Sequence, residues 1–163
     1  MSGPAADPHL SDRDLAVSVV ATELGSIAHA SCVTLHGQGV LIVGPSGSGK
    51  SSLALHLMAL GAELVSDDQT ILVRDGDSIK AAAPPAISGM IEARGVGLLR
   101  ADVAETAALR LVIDLGKTER DRLPSPRTAT LLGISLRLFH KSDSAAFPAA
   151  ILQYLKAGRV HVP

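Results

Sequence analysis

The apolar residues of this chain fall mainly into short runs broken by glycine, proline and aspartate, a pattern of strands and turns more than of long helices. Val40–Val43 is one such run and reads as a buried strand. Ala30–Leu35 reads as the strand before it, with a tight turn at Gly37-Gln38-Gly39 between the two. After Val43 the period changes. Leu53, Ala54, Leu57 and Met58 recur at helical spacing, which predicts a helix from about Lys50 to Leu60 with Gly61 as its C-cap glycine. Glu63–Ser66 reads as a short strand ending in Asp67-Asp68. Thr70–Arg74 and Ser78–Ala82 flank Asp75-Gly76-Asp77, a hairpin signal. Pro84-Pro85 breaks regular structure, and a glycine-punctuated loop runs from Gly89 to Leu99. Leu109–Leu115 reads as a buried strand, Gly116–Arg127 as an exposed polar loop, Thr130–Phe139 as one more strand and Ser144–Lys156 as a terminal helix started near Asp143 or Ser144. Leu15–Leu24 is apolar, and its period does not choose between helix and strand. Residues 1–14 are polar and read as a flexible N-terminal tail, leaving 15–163 as a single domain. Helices are too few for a doubly wound sheet, so the expected fold is α/β with a mixed sheet and one or two helices packed on it.

The stretch between the Val40–Val43 strand and the helix carries the strongest chemistry. Gly44-Pro45-Ser46-Gly47-Ser48-Gly49-Lys50-Ser51 matches the phosphate-binding P-loop pattern G-x-x-x-x-G-K-S/T, in the strand–loop–helix context that gives the pattern its physics. Glycines let the backbone amides turn inward, and the helix N-terminus adds partial positive charge. Lys50 reaches toward the β and γ phosphates, and the Ser51 hydroxyl suits magnesium. Gly44, Ser46, Gly47, Ser48, Gly49, Lys50, Ser51 and Ser52 are the candidate nucleotide ligands. A second signal is Asp67-Asp68 at a strand end, where one acid can serve the metal and the other accept a proton. A third is Glu92-Ala93-Arg94 among three glycines, which can bring Glu92 to a metal and Arg94 to phosphate; an ordinary surface turn reads the same way.

Composition narrows the function. Of 163 residues 47% are hydrophobic, enough for one proper core. With two Phe, one Tyr and no Trp, the chain has few faces on which nucleic-acid bases could stack. A net charge of −1 offers no general attraction to nucleic acid or to anionic membrane. No apolar run approaches a membrane span, and the N-terminus carries no signal-peptide core. The single cysteine, Cys32, reads as a small buried hydrophobe in a reducing compartment. Together these features point to a cytoplasmic protein.

The three signals, taken in order, resemble the C-terminal catalytic domain of HPr kinase/phosphorylase, a bacterial protein-serine kinase. The resemblance is carried by His29-Ala-Ser-Cys-Val-Thr-Leu-His-Gly-Gln-Gly-Val-Leu-Ile, the P-loop, Leu64-Val65-Ser66-Asp67-Asp68, Ala82-Ala83-Pro84-Pro85 and Glu92-x-Arg94-Gly95-x-Gly97. It implies a P-loop kinase fold related to phosphoenolpyruvate carboxykinase, and ATP and Mg2+ as cofactors. The partner it implies is the phosphocarrier HPr or an HPr-like protein, and the assembly a homo-oligomer, a hexamer in the family. By the same resemblance Lys50 and the loop amides bind ATP phosphates, while Ser51 and Glu92, with Asp67, hold magnesium. Asp68 acts as catalytic acid/base, His29 sits beside it, and Arg122 matches a catalytic arginine beyond the signature. His36 falls where the family needs no histidine; His56, His140 and His161 read as incidental.

The departures from the family also carry expectations. Pro45 and Ser52 stand where the family has acidic residues. The chain has no room for the usual N-terminal domain, and the stretch after Arg122 that the family uses for dephosphorylation is short. The pattern is similar to truncated proteobacterial forms, in which the kinase is the expected activity and the phosphorylase is in doubt. A kinase for a small molecule, and a non-catalytic ATP-sensing module, are the rival readings. Retention of Asp68, Glu92 and His29 argues against a sensor, which needs no base. An ATPase driving assembly lacks an acid–arginine set for ring hydrolysis. The charged Gly116–Arg127 loop is a candidate for acceptor contact.

Overall fold

The computed structural model describes residues 9–10, 15, 17, 19–23 and 25–160. The tail read at residues 1–14 lies outside them apart from His9–Leu10, and His161 lies outside them as well. In chain order the strands are β1 (His9–Leu10), β2 (Val19–Thr22), β3 (Gly25–Ala28), β4 (Ser31–Leu35) and β5 (Gln38–Val43). Helix α1 (Lys50–Ala59) follows, then β6 (Glu63–Ser66), β7 (Thr70–Asp75) and β8 (Ser78–Ala82). After a 3-10 turn at Pro85–Ile87 come β9 (Met90–Ala93), β10 (Gly97–Arg100), β11 (Ala107–Thr118), β12 (Arg127–Leu131), β13 (Ile134–Lys141) and helix α2 (Phe147–Ala157).

Among the described residues eleven strands form one mixed sheet, and β9 and β10 form a separate hairpin. Strand β11 organises the large sheet. One edge pairs in parallel with β13. Ala107 and Ala108 pair with β8 on that same edge, and from Ala108 onward the opposite edge pairs in parallel with β5. The sheet therefore forks into an arm of β8, β7, β3 and β2 and an arm of β5, β4 and β6. Because both arms carry apolar residues on two faces, two cores result. Val40 and Ile42 point to a layer with Leu53, Leu57, Ile151 and Leu155 of the two helices. Leu41 and Val43 point to the opposite layer, where Leu72, Ile79, Leu136 and Leu138 close over them. Burial on both faces is why β5 reads as an unbroken apolar run. Cys32 lies in the second layer, and burial pushes its thiol up to about 12.

The structure follows most of the sequence reading, with the turn before β5 at His36 and Gly37 and not Gly37-Gln38-Gly39, and the last helix starting at Phe147 and not Ser144; it departs further at three places. The Gly89–Leu99 segment is the β9–β10 hairpin, not a loop. Ile91 and Ala93 are buried while Glu92 faces out, an alternation masked by the flanking glycines. The Gly116–Arg127 stretch is a loop only between β11 and β12, because β11 continues through polar residues to Thr118. Thr130–Phe139 is two strands, not one: Leu132 and Gly133, at φ 47° and 78°, make the turn, and Leu131 pairs with Ile134. Leucine is a poor signal for that turn, so the alternation read straight through it. The ambiguous Leu15–Leu24 stretch contains β2.

Glu119 and Arg127 close the loop after β11. Two guanidinium N–H groups of Arg127 donate to the Glu119 carboxylate at 3.1 and 3.2 Å. That hydrogen bonding holds the Glu119 carboxyl below its ordinary value, against an opposing effect of burial. The pair's stabilisation is thus present above the unfolded glutamate value of about 4.3 and is lost as pH falls through the lower folded value. Glu119→Gln is expected to lower the melting temperature at neutral pH. The difference from wild type should vanish in acid below the folded value, which thermal melts across that range will show.

Candidate active site

Strands β5 and β6 run in the same direction, both being antiparallel to β4, so Gly44 and Asp67 emerge at the same end of the strands. The loop after β5 turns through positive φ at Gly44 (150°), Gly47 (81°) and Gly49 (98°). At Gly44 a side chain would also collide with its surroundings, since an added Cβ would lie 2.6 Å from Ser48 Oγ. Gly49 caps α1 without any side-chain hydrogen bond, and the first turn holds no acid. The helix N-terminus therefore keeps unsatisfied amides and uncompensated positive charge, the condition for anion binding. Lys50 is 7% exposed, and its Nζ donates to the carbonyls of Gly44 (2.9 Å) and Pro45 (3.2 Å), bracing the loop that it serves.

Asp67 lies under this loop, 7% exposed. Its Oδ1 accepts from Ser51 Oγ at 2.7 Å and from Ser31 Oγ at 2.8 Å, and its Oδ2 accepts from the Glu92 backbone N–H at 3.0 Å. Three donors and no acceptor suit a charged carboxylate, which only accepts. Because Ser51 gives its one proton to Asp67, the lone pairs of its Oγ are free for a hard cation. Oxygen donors from Ser51, Asp67 and Glu92 fit magnesium, which takes one or two carboxylates and completes its shell with water and phosphate. These residues do not form an all-protein cage, and among the described residues no cluster of three or more acidic, His or Cys side chains exists.

Asp68 differs from its neighbour in every respect. Its φ is 67°, left-handed for a non-glycine residue, and its side chain is 63% exposed. His29 Nδ1 lies 3.5 Å from its Oδ1. The backbone reversal that presents it is tied down on both sides: Gln69 N–H donates to the Asp67 carbonyl, Ser66 Oγ to the Gln69 carbonyl, and Thr70 Oγ1 to the Ala30 carbonyl.

A groove of about 290 Å³ joins these parts. His29, Ser46, Gly47, Gly49, Lys50, Ser51, Ser52, Asp68, Glu92 and Arg94 line it. Gly44, Ser48 and Asp67 stand behind that lining and shape it. The β9–β10 hairpin reaches the groove because Ile91, fully buried, packs with Leu53 and Leu57 of α1 in the helical layer.

A model of the family "HPr Serine kinase C-terminal domain" matches residues 22–136, and all of these groove residues fall within that span. The chain belongs to this family. Among curated relatives of this HPr serine kinase family, an HPr kinase/phosphorylase of Variovorax paradoxus is 40% identical over 123 residues, covering 67% of this chain and 39% of that protein. One from Cupriavidus metallidurans is 36% identical over 136 residues, covering 76% of this chain and 42% of that protein. The chain thus spans about two fifths of the length of these relatives. The solved structure of the Hpr(Ser) kinase/phosphatase from Coxiella burnetii superposes with a TM-score of 0.67 at 24% identity, over 80% of this chain and 93% of that one. That likeness establishes the P-loop kinase fold.

One residue named from the sequence lies outside the groove, and one residue at the acid pair was not named from it. Arg122 is not in the groove. It lines a second cavity, of about 280 Å³, with Phe139, His140, Phe147 and Arg159, because the loop after β11 folds against β13 and α2. His140 is half-buried there, and burial first, then Arg127, lowers its pKa. Ser31 was not singled out from the sequence, yet it touches both halves of the acid pair. Its signal was a hydroxyl residue two positions after His29, at the start of a mostly apolar strand.

Asp67→Asn would place an amide N–H₂ against hydroxyl and amide donors. It is expected to cost about 1–3 kcal/mol of stability and to weaken magnesium-dependent nucleotide binding. Chemical denaturation and calorimetry with and without Mg2+ test both effects.

Proposed function

We propose that this domain transfers the γ-phosphoryl group of ATP to a serine hydroxyl of the phosphocarrier protein HPr or an HPr-like protein. One observation carries the reading: an exposed carboxylate, Asp68, stands beside His29 at the mouth of the groove that Lys50 and Ser51 line. A nucleotide sensor has no use for a base in that place. The Variovorax and Cupriavidus relatives, named HPr kinase/phosphorylase, supply the acceptor class.

The residues divide the work as follows. Amides of Ser46 to Lys50 and the Lys50 ammonium hold the phosphates, and Arg94 adds charge from the hairpin side. Ser51, Asp67 and Glu92 would hold magnesium, which would supply charge neutralisation at the phosphates. Asp68 takes the proton of the serine hydroxyl as the Oγ–P bond forms and the bond from phosphorus to the ADP oxygen breaks. His29 orients that carboxylate. Positioning and charge neutralisation supply most of the rate, as in other phosphoryl transfers. A protein acceptor suits the open setting of Asp68, which needs a partner to cover it. The tip of the β9–β10 hairpin offers such a partner exposed Val96 and Leu98 beside the groove. In a phosphorylase reaction the same carboxylate would return the proton to the serine oxygen as its bond to phosphorus breaks and the phosphoryl group passes to inorganic phosphate, forming pyrophosphate. Self-association, implied by the family, belongs to the same proposal.

Lys50→Ala is expected to reduce transfer from ATP–Mg to purified HPr by about 100-fold or more. Asp68→Asn should leave ATP affinity within about twofold of wild type while lowering kcat by about 10²–10⁴-fold. Normal transfer by the Asp68 variant would remove the assigned base. ATP binding without transfer by wild type would favour a sensor or another acceptor.

A further inference from the structure

We propose that Ser31 is a positioning residue that sets the separate tasks of the two adjacent carboxylates; the inference rests on the kinase reading above. Ser31 opens β4, is fully buried, and has a single hydroxyl proton. It donates that proton to Asp67 Oδ1 at 2.8 Å. Its oxygen is then left to accept, and it receives the backbone N–H of Asp68 at 3.3 Å. One hydroxyl therefore joins the side chain of the buried acid to the main chain of the exposed one.

The consequence lies in the backbone. Asp68 occupies a left-handed conformation that a non-glycine residue holds only when its surroundings over-determine it. The Ser31 bond grips the amide of that same residue. Cys32, the next residue, pairs across to Ser66 beside a register shift between β4 and β6, so the grip comes from the strand adjoining the end of β6. His29 precedes Ser31 by two residues on the same segment. One short stretch thus sets both the Asp68 main chain and the imidazole 3.5 Å from its carboxylate. Without the hydroxyl, Asp67 keeps Ser51 and the Glu92 amide, but the Asp68 amide loses its partner. The metal-side acid should be little disturbed and the base-side acid misplaced.

Ser31→Ala removes only the hydroxyl, and Ser31→Thr restores it. The expected result for Ser31→Ala is a fall in kcat for HPr phosphorylation of about 10–100-fold, with the KM for ATP–Mg within about twofold. Ser31→Thr should recover most of the loss. Because Ser31 acts through Asp68, Ser31→Ala added to Asp68→Asn should reduce the rate no further. Amide hydrogen exchange gives a readout independent of the acceptor: the Asp68 N–H should exchange faster in Ser31→Ala, with the Leu41 and Ile42 amides unchanged. Wild-type kcat in Ser31→Ala, independent losses in the double variant, or an unchanged Asp68 amide would overturn the proposal. Should wild type fail to phosphorylate HPr, the kinase reading fails, while the exchange measurement still decides whether Ser31 holds Asp68.

Discussion

The Asp67 carboxylate is the point on which the site is assembled. Its donors come from β4, from the first turn of α1 and from β9, three elements distant in the chain. Left without them, a carboxylate this deeply buried would be costly, since burial penalises charge that is not hydrogen-bonded. With them it works as a staple: the P-loop helix, the strand that follows His29, and the hairpin that carries Glu92 and Arg94 all meet at one side chain. The groove above is polar and open, and offers little packing of its own to hold its walls in place. Directional bonds to a buried anion replace that packing.

Neighbouring residues of like chemistry receive unlike environments from this arrangement. Asp67 ends the inward face of β6 and turns under the loop. Asp68, one residue on, is reversed by its positive φ and stands in solvent. The period of a strand would in any case separate adjacent side chains. β6 has ended at Ser66, before both, and the left-handed turn at Asp68 goes further, so one carboxylate is fixed as an acceptor within the fold while the other stays accessible to a proton donor.

The parts of the structure legible in the sequence are those written in local chemistry. The P-loop, the Asp75-Gly76-Asp77 hairpin, the run of Glu63–Ser66 and the helix ending before Gly61 each depend on residues close together in the chain, and each is found where the spacing places it. What escaped depends on tertiary context. The continuation of β11 through polar residues is supported by pairing with β13, where Thr118 meets Lys141. The Leu132-Gly133 turn uses a residue that rarely takes positive φ. Of the site, the lysine, the glycines and both aspartates could be read directly, and His29 only through the family resemblance. Ser31 could not, because a serine at a strand start has no meaning until the Asp67 carboxylate and the Asp68 amide are found against it. Arg122 was placed by a sparse alignment across a loop, and loops are where spacing carries least information.

The fork of the sheet at β11 bears on how the site comes into being. Every groove residue lies between His29 and Arg94, so the ligand-holding part of the chain is synthesised before Ala107. Yet β5, which carries the P-loop, has only β4 as a neighbour until β11 is in place, and its helical layer is closed only by α2. Chemical completeness and mechanical support are thus separated along the chain. A nascent polypeptide that already has its lysine, acids and glycines still lacks the backing that would hold them in register. Such a dependence on late, non-local pairings slows folding, and it makes nucleotide affinity a property of the finished sheet and not of the motif.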